Sequence, residues 1–297
     1  MARKKSPPHP QPVVTGERPR LTVLLPLKNY HLDFLRKSVA SIFNQSCPRW
    51  DLLIIVEKKN VKTFSLLLQA ELQHSQVTLI VNEGRRLGGA LNTGMRQAKT
   101  DFVAIVLADD MWASNAVAVL TETIARSPEV DFFHSSRRIV DEKDAPLSSV
   151  HYSRETFSLA DFEHSSPVKH LLCWRREKAL SLGGIDESLD HGPDDYDFPW
   201  TMAQAGAVFQ AIKEPLYIYR DHRETYRLTT HIPLSSQKRA IRKIMRKHGA
   251  SSASIKAKVA AAEGSYLQQC LFKSRADQQR QEKLGYNPRG GWRENFR

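Results

Sequence analysis

Short apolar runs alternate with amphipathic stretches along the first half of the chain. Four runs have the length and β-rich composition of buried strands, and they lie at residues 21–27, 52–56, 77–81 and 102–107. Apolar residues at helical spacing follow each run, at residues 34–43, 63–72, 84–98 and 116–125. This alternation predicts an α/β fold with a mostly parallel sheet and helices on both faces.

The second half of the chain is less regular. Apolar runs predict strands at residues 130–133, 137–140, 168–174, 208–212 and 216–219, and helical spacing predicts helices at 176–182 and 198–205. From Ser236 the pattern becomes a basic helix with an apolar stripe of Ile241, Ile244 and Met245, followed by a helical stretch at 253–284. We therefore predict a flexible basic arm at 1–20, an α/β domain at 21–234 and a basic helical extension at 235–297.

The charge is unevenly distributed along the 297 residues. The formal net charge is +12, but residues 1–20 carry +4 and residues 235–297 carry +11, which leaves −3 for the part between them. A nucleic-acid-binding protein would interleave basic residues with exposed aromatics in this central part. Because the central part is slightly acidic instead, we expect no nucleic-acid partner. The basic extension has two open roles: its apolar stripe packs on the body, or the helix lies on an anionic membrane surface as a peripheral contact.

The cysteines and the hydropathy indicate in which cellular compartment the protein is found. Cys47, Cys173 and Cys270 are far apart and form no CxxC spacing, which argues against a disulfide framework or a zinc ribbon and fits a reducing environment. No apolar run reaches the roughly 18 residues of a membrane-spanning helix, and the basic, proline-rich N-terminus has no apolar core of a secretory signal. We expect a cytoplasmic protein.

Carboxylates follow two of the predicted strands. Glu57 follows the second strand and Asp109-Asp110 follow the fourth, and in such sheets the ligand crevice lies beyond the carboxyl ends of the strands. Adjacent acids at a strand end are suited to hold Mg²⁺ or Mn²⁺ and, through it, phosphates; the alternative is that one of them caps the next helix. The fingerprints GxGxxG, GxxxxGK[ST], HExxH and GxSxG are all absent.

Two further clusters carry candidate chemistry. Asp194, Asp195 and Asp197 lie within four positions, and their repulsion implies that at least one has a raised pKa or a partner, as a general base does. The alternative is an acidic helix start that the helix dipole favours. His222 would complete a mixed oxygen and nitrogen metal shell, although a solvated loop histidine is the more frequent case.

Eight short motifs, taken in chain order, resemble those of the family 2 glycosyltransferases of the GT-A fold. They are Pro26-Leu27-Lys28-Asn29-Tyr30, Ile42-Phe43-Asn44-Gln45-Ser46, Ile54-Ile55-Val56-Glu57, Asn82-Glu83-Gly84 with Ala90-Leu91-Asn92-Thr93-Gly94, Leu107-Ala108-Asp109-Asp110, Gly183-Gly184-Ile185-Asp186-Glu187, Asp194-Asp195-Tyr196-Asp197 and Tyr219-Arg220-Asp221-His222. The resemblance covers about residues 20–230. Three positions depart from it, since Leu107 and Lys58 stand where acids are usual and Asp194 replaces the commoner Glu.

The resemblance implies an inverting transfer of a sugar from a nucleotide-diphosphate sugar, with a UDP-sugar favoured, to a hydroxyl of an acceptor glycan or glycolipid in cell-surface polysaccharide or glycolipid synthesis. Asp195 would be the base, with Asp194 the less favoured candidate. Mn²⁺ or Mg²⁺ would be held by Asp109, Asp110 and His222. The implied donor-binding residues are Pro26, Asn29, Glu57, Arg86, Gly88, Asn92 and Asp109.

Other interpretations stay open at this point. Trp174, Arg175 and Arg176 either border the acceptor pocket or belong to the core, and residues 222–231 are a candidate lid over the donor. A nucleotidyltransferase would share the sheet and the metal-binding acids, but it needs no base at 194–195 and usually carries a basic, glycine-rich signature near its N-terminus. An inactive GT-A domain that binds nucleic acid or a membrane is the remaining alternative, and the oligomeric state is left open.

Overall fold

The computed structural model describes residues 20–28, 30–222 and 233–271, together with the dipeptides 286–287 and 291–292. The first half alternates as predicted: β1 (Leu21–Leu27), α1 (Leu32–Phe43), β2 (Trp50–Val56), α2 (Val61–Leu67), β3 (Val77–Val81), α3 (Arg86–Gln97) and β4 (Phe102–Ile105). The helix predicted at 63–72 is shorter, because α2 ends at Leu67 and a separate 3₁₀ turn follows at Glu71–Gln73.

The second half contains the remaining elements. They are β5 (Met111–Trp112), α4 (Ala116–Arg126), β6 (Phe132–Val140), α5 (Asp161–His164), β7 (Leu172–Arg175), α6 (Arg176–Ser181), a π-helical turn (Pro193–Asp197), α7 (Phe198–Gln204), β8 (Phe209–Arg220), α8 (Leu234–Lys247), α9 (Ser252–Leu271), β9 (Tyr286–Asn287) and β10 (Gly291–Trp292). The strands predicted at 130–133 and 137–140 are the single strand β6, and those predicted at 208–212 and 216–219 are the single strand β8. The apolar pattern breaks where the β6–β8 register shifts, around Ser135 and Ser136.

An eight-stranded sheet in the order β3-β2-β1-β4-β7-β6-β8-β5 forms the centre of the protein. Strands β3, β2, β1 and β4 are parallel neighbours, and β6 and β8 are also parallel to each other. Strand β7 runs antiparallel between β4 and β6, and β5 runs antiparallel along β8. The six other strands therefore point the same way, so their carboxyl ends and the amino end of β7 meet at one edge of the sheet.

Helices cover both faces of the sheet, which confirms the predicted α/β class. Successive residues of β1 point to opposite faces, with Val23 and Leu25 in one apolar cluster and Leu24 in the other. The first cluster includes Leu35 of α1 and Val117 of α4. The second packs helices α3, α6 and α7 against the other face. Both faces of the sheet are therefore buried, so a ligand-binding site on the sheet lies at the ends of the strands.

The basic helix α8 packs on the body of the protein. Its stripe of Ile241, Ile244 and Met245 is buried in a third apolar cluster that includes Trp200 of α7 and Phe162 of α5. The packing role predicted for this stripe is confirmed, while membrane contact by the basic face of 235–297 stays a prediction. Among the described residues, no helix is both long enough and apolar enough to cross a membrane. The predicted arm and the end of the helix predicted at 253–284 lie outside the described residues.

Candidate active site

Acidic and amide side chains follow the strands that end at the common edge of the sheet. Glu57 follows β2 and Asn82 follows β3, and Asn82 Nδ2 donates a hydrogen bond to Glu57 Oε1 at 3.2 Å. Pro26, a further predicted donor contact, is half-buried near the end of β1 and lies beside Ile55 of β2. Asn29 lies outside the described residues. The parallel strands thus bring two of the predicted nucleotide-binding positions to neighbouring points on one edge.

Asp109 and Asp110, which follow β4, lie in two different environments. Asp109 is partly exposed, and its Oδ2 lies 3.0 Å from Nε2 of His222, which is buried just beyond β8. The Asp110 carboxylate is buried instead and accepts hydrogen bonds at 2.7 Å from the Tyr217 hydroxyl and from the Arg220 backbone N–H. Of the three predicted metal ligands, the structure therefore brings Asp109 and His222 together. The third, Asp110, accepts hydrogen bonds from β8 instead.

Arg220 holds the turn that carries Asp109. Its guanidinium is fully buried, donates to the Asp109 carbonyl at 3.0 Å and to the Asp141 carbonyl at 3.1 Å, and forms an ion pair with Asp144 at 2.5 Å. It also lies 4.5 Å above the Phe34 ring centroid, a cation–π contact with α1. The sequence prediction assigned no role to Arg220, although it lies within the quoted Tyr219–His222 motif.

The metal prediction can be tested against the donor atoms. Within the described ranges, no group of three His, Cys, Asp or Glu side chains is close enough to hold a metal ion. The Asp109–His222 pair nevertheless supplies one carboxylate oxygen and one imidazole nitrogen 3.0 Å apart, about the spacing of two adjacent ligands on an octahedral ion with bonds of about 2.1 Å. These two side chains fit a divalent cation whose other ligands come from a substrate or from water.

The three acids of the segment 194–197 have three different surroundings. Gly192 has a left-handed backbone (φ +64°) and begins a π-helical turn that leads into α7. Within this turn Asp194 and Asp197 are buried and Asp195 is exposed. Asp197 binds Lys247 of α8 at 2.7 Å and His248 at 2.9 Å, so it anchors the carboxyl end of α8. The three neighbouring acids thus do not share one environment, since Asp194 and Asp197 are buried and Asp195 is exposed.

Asp194 is held in its protonated form near neutral pH. Burial, together with the adjacent charge of Asp195, raises its pKa to about 8. Its Oδ2 lies 3.5 Å from Nε2 of His170, and burial lowers the pKa of this histidine to about 4, so it is neutral. The sequence interpretation missed His170. Its signal was the polar pair Lys169-His170 inside the apolar run predicted at 168–174.

Asp194→Asn should stabilise the protein increasingly as the pH rises. The folded state keeps the Asp194 proton up to about pH 8, while the unfolded chain releases it near pH 3.8, so wild-type stability falls as the pH rises between these values. His170 makes the stability rise with pH between about pH 4 and 6.5, because in this range the unfolded chain binds a proton at His170 and the folded chain does not. The Asp194 effect is therefore clearest between about pH 6.5 and 8.

Urea unfolding at pH 5, 6.5 and 8 measures this effect. The free energy of unfolding of Asp194→Asn, relative to wild type, should increase by about 1–3 kcal/mol from pH 5 to pH 8. Asp101→Asn, at an exposed position before β4, is the matched control. A difference that shrinks with rising pH would contradict the protonated state of Asp194.

The three remaining predicted donor-binding residues contact the turn at 183–190 or approach it closely. Asn92, buried in α3, donates through Nδ2 to the Ile185 carbonyl at 2.9 Å and to Glu187 Oε1 at 3.0 Å, and its Oδ1 accepts from the Ile185 N–H. The Arg86 Nε lies 2.6 Å from the Asp190 carboxylate. A Cβ on Gly88 would lie 3.1 Å from the Glu187 backbone, so the glycine allows α3 to approach this turn. These residues hold together the segment that precedes the Asp194 loop.

The acceptor-pocket interpretation of residues 174–176 is wrong. Trp174 is fully buried, packs on Phe132 and donates from Nε1 to Met95 Sδ at 3.2 Å. Arg175 pairs with Asp131, and Arg176 donates to the Thr100 carbonyl. Because β7 is antiparallel, its carboxyl end lies at the edge of the sheet opposite to the site. The predicted lid lies outside the described residues except for His222.

Comparisons with known proteins agree with this arrangement. The family model "Glycosyl transferase family 2" matches residues 22–178, just over half of the chain. The O-antigen biosynthesis protein RfbC of Myxococcus xanthus is 24% identical over 211 residues, which are 69% of this chain. The matched part spans 16% of the length of that relative.

Two solved structures show the fold. The S. aureus TarS fragment 1–349 in complex with UDP-GlcNAc has a TM-score of 0.59 and 16% identity, with 87% of this chain and 74% of the fragment covered. The mannosyltransferase PcManGT of Pyrobaculum calidifontis in complex with GDP-Man and Mn²⁺ has a TM-score of 0.54 and 20% identity, with 96% and 81% covered. Both are GT-A proteins. With a GT-A fold and a family model that matches more than half of its length, the chain belongs to glycosyl transferase family 2.

Proposed function

We propose that this protein is an inverting glycosyltransferase that uses a nucleotide-diphosphate sugar, with Asp195 as its base. The observation that carries the proposal is the position of His170: its Nε2 lies 3.5 Å from the Asp194 carboxylate, and its ring centroid lies 5.2 Å from that of Tyr217, whose hydroxyl donates to Asp110. His170 therefore lies between the turn that carries Asp195 and the turn that carries Asp109. Asp194, buried and protonated, is unsuited to accept a proton there, so Asp195 is the better candidate of the two.

The reaction is a single displacement at the anomeric carbon. The acceptor hydroxyl gives its proton to the Asp195 carboxylate as its oxygen forms a bond to that carbon. The bond between the carbon and the diphosphate oxygen breaks, and its electron pair leaves with the nucleoside diphosphate. Attack opposite to the leaving group inverts the configuration, and no covalent sugar–enzyme intermediate is needed. A positioned base of this kind contributes roughly 10²–10⁴-fold to the rate.

Asp109 and His222 are the residues that we propose to hold a divalent cation. When bound, the cation neutralises the charge that develops on the leaving diphosphate. The imidazole ligand favours Mn²⁺ over Mg²⁺, and the archaeal structure with GDP-Man contains Mn²⁺. Asp110 supports this pair indirectly in the proposal, because it holds Tyr217 and Arg220 in place beneath the Asp109 turn.

The donor nucleotide is proposed to lie along the ends of β1 to β3. In this proposal Glu57, which Asn82 Nδ2 contacts, accepts a hydrogen bond from the nucleobase. Pro26 and Asn29 follow from the family resemblance alone. We propose an indirect role for Arg86, Gly88 and Asn92, which hold the 183–190 turn in position. UDP and GDP are the nucleotides to test first, since one similar structure binds UDP-GlcNAc and the other GDP-Man.

The cellular role proposed is the synthesis of a surface polysaccharide or glycolipid. The similarity to an O-antigen biosynthesis protein supports this role. Cys47 and Cys173 are buried and form no disulfide, which supports a reducing compartment such as the cytoplasm. The exposed basic residues of α8 are compatible with a peripheral contact to a membrane that carries a lipid-linked acceptor.

Hydrolysis of UDP- and GDP-sugars, with Mn²⁺ and with EDTA, tests the proposal. We expect one donor to be hydrolysed in a reaction that Mn²⁺ supports and EDTA abolishes. Asp109→Asn should increase the Mn²⁺ concentration needed for half-maximal rate by at least about tenfold, because a metal ligand is removed. Asp101→Asn is the control and should require the same Mn²⁺ concentration as wild type.

Two outcomes would contradict the proposal. The first is hydrolysis that EDTA does not affect, which would remove the cation from the reaction. The second is the absence of any donor hydrolysis, combined with release of pyrophosphate from a nucleoside triphosphate and a sugar phosphate. That result would favour the nucleotidyltransferase alternative.

A further inference from the structure

Two cationic side chains lie in the neighbourhood of His170 and are used by none of the contacts described so far. Arg137 lies in β6 at the point where its register with β8 shifts, opposite Tyr217. Lys169 precedes β7, next to His170. Both side chains are half-buried. Both also interact electrostatically with Asp195, so the two strands bring them towards the proposed base.

Neither cation has an anionic partner among the described residues. No carboxylate in the described ranges lies within 4 Å of either one, and Lys169 Nζ donates only to the Ser166 carbonyl at 3.2 Å. The Arg137 guanidinium lies 4.9 Å from the Tyr219 ring centroid, and its buried Nε has no hydrogen-bond partner in the described part of the chain. Half-buried cations with unused donors are costly, and two of like charge are costlier.

The cations that stabilise the fold have carboxylate partners. Arg220 is paired with Asp144 and two backbone carbonyls, Arg175 is paired with Asp131, and Lys247 is paired with Asp197. The absence of such partners distinguishes Arg137 and Lys169 from the cations that hold the fold together. Their positive charge is available to a ligand.

The charge in this region comes from these two residues and not from the histidines beside them. Burial lowers the pKa of His170 and of His134 to about 4, so both are neutral at pH 7. Burial also lowers the pKa of Lys169, and the charge of Arg137 lowers it further, while Asp195 opposes this shift. Lys258 of α9, which lies 5.4 Å from the Tyr196 ring centroid, adds a third positive charge within electrostatic range of Lys169.

We propose that Arg137 and Lys169 form an anion-binding subsite for a phosphate or carboxylate group on the acceptor, which places the acceptor hydroxyl at Asp195. This inference rests on the proposed function and names its acceptor class. Asp195 is the acid whose charge acts on Lys169, and Arg137 is influenced by Asp110 as well as by Asp195, so Lys169 is the cation nearer to the base alone. That position favours the acceptor over the donor diphosphate, which belongs at Asp109. Planar guanidinium and point-like ammonium groups together suit a tetrahedral or planar oxyanion.

Equilibrium binding of glycerol 1-phosphate, compared with glycerol, tests the subsite without any turnover. In titration calorimetry of the full chain, wild type should bind glycerol 1-phosphate, and glycerol should give no measurable binding. Lys169→Met and Arg137→Gln should each weaken the binding at least about tenfold, as expected for loss of a charge-assisted hydrogen bond. Lys169→Arg keeps the charge and should keep binding within about threefold, and Lys99→Met, at an exposed lysine before β4, should equal wild type.

A parallel titration with UDP or GDP and Mn²⁺ separates the acceptor from the donor. If Lys169→Met and Arg137→Gln weaken nucleotide binding as much as glycerol 1-phosphate binding, the cations serve the donor diphosphate and the inference is wrong. Equal binding of glycerol 1-phosphate by wild type and Lys169→Met overturns it as well. Because these titrations need no reaction, the outcomes that would contradict the proposed function leave this result standing.

Discussion

Asp195→Asn is expected to lower kcat by about 10²–10⁴-fold and to leave the KM for the donor within about twofold. The amide has the shape of the carboxylate but cannot take the proton of the acceptor hydroxyl. The Asp195 side chain is exposed, so the change removes no buried ion pair and should not unfold the protein. A loss in kcat with a constant KM is the pattern of an interaction made only in the transition state.

Product formation with the donor found in the hydrolysis screen measures this effect. Asp101→Asn, at the opposite edge of the sheet, is the matched control and should turn over at the wild-type rate. Asp194→Asn is the informative comparison. It should keep most of the activity, because the buried Asp194 already carries a proton near neutral pH. Wild-type turnover by Asp195→Asn, or a larger loss in Asp194→Asn, would refute the assignment of the base.

Asp197→Ala should produce the largest loss of stability among single changes at the site, about 2–4 kcal/mol. Asp197 is buried, and its two oxygens bind Lys247 at 2.7 Å and His248 at 2.9 Å. His248 is also stacked on Trp200 with ring centroids 4.4 Å apart, and it shares hydrogen bonds with Gln204. Removal of Asp197 leaves the buried imidazole without its acceptor. The Lys247 side chain is 38% exposed and can regain water, which keeps the loss below that of a fully buried pair.

Thermal unfolding measures this loss. For a domain of this size we expect the midpoint to fall by about 5–12 °C. Arg239→Ala is the control on the same helix, because Arg239 is exposed and bonds only the nearby Ser236 within the described residues; its effect should stay below about 0.5 kcal/mol. A midpoint of Asp197→Ala within 2 °C of wild type would show that α8 is not anchored through this carboxylate.

The elements of the first half could be predicted from the order of the residues because each one buries a whole face. Strands β1 and β3 have the predicted bounds, and α4 agrees to within one residue. Apolar periodicity reports burial, and these strands are buried between two helical layers. The long strands β6 and β8 were each divided in two, because polar residues at Ser135, Ser136, Lys213 and Glu214 interrupt the apolar pattern. Their pairing with each other keeps them continuous, and such pairing is a long-range property.

The chemistry of the candidate site could be predicted only in part, for a similar reason. Asp109 was predicted from its position after a strand, Asp195 from a cluster of three acids, and His222 from its suitability as a nitrogen ligand, and the family resemblance included all three. The different environments of Asp194 and Asp195 depend on the turn that begins at Gly192, which points one carboxyl towards His170 and the other towards solvent. The roles of Arg220 and His170 depend on contacts with residues far away in the chain, and no local pattern contains these contacts.

Local residue order was sufficient for the α/β class, the strand ends that carry acids, the apolar stripe of α8 and the family to which the chain belongs. All of these follow from periodicity, turn residues and motif order, which act over a few neighbouring positions. The direction of β7, the inward position of Asp110, the proton on Asp194 and the unpaired charges of Arg137 and Lys169 followed only from the folded chain. Protonation and charge pairing depend on burial and on distances of a few ångströms, and folding sets both by joining residues that are distant in sequence.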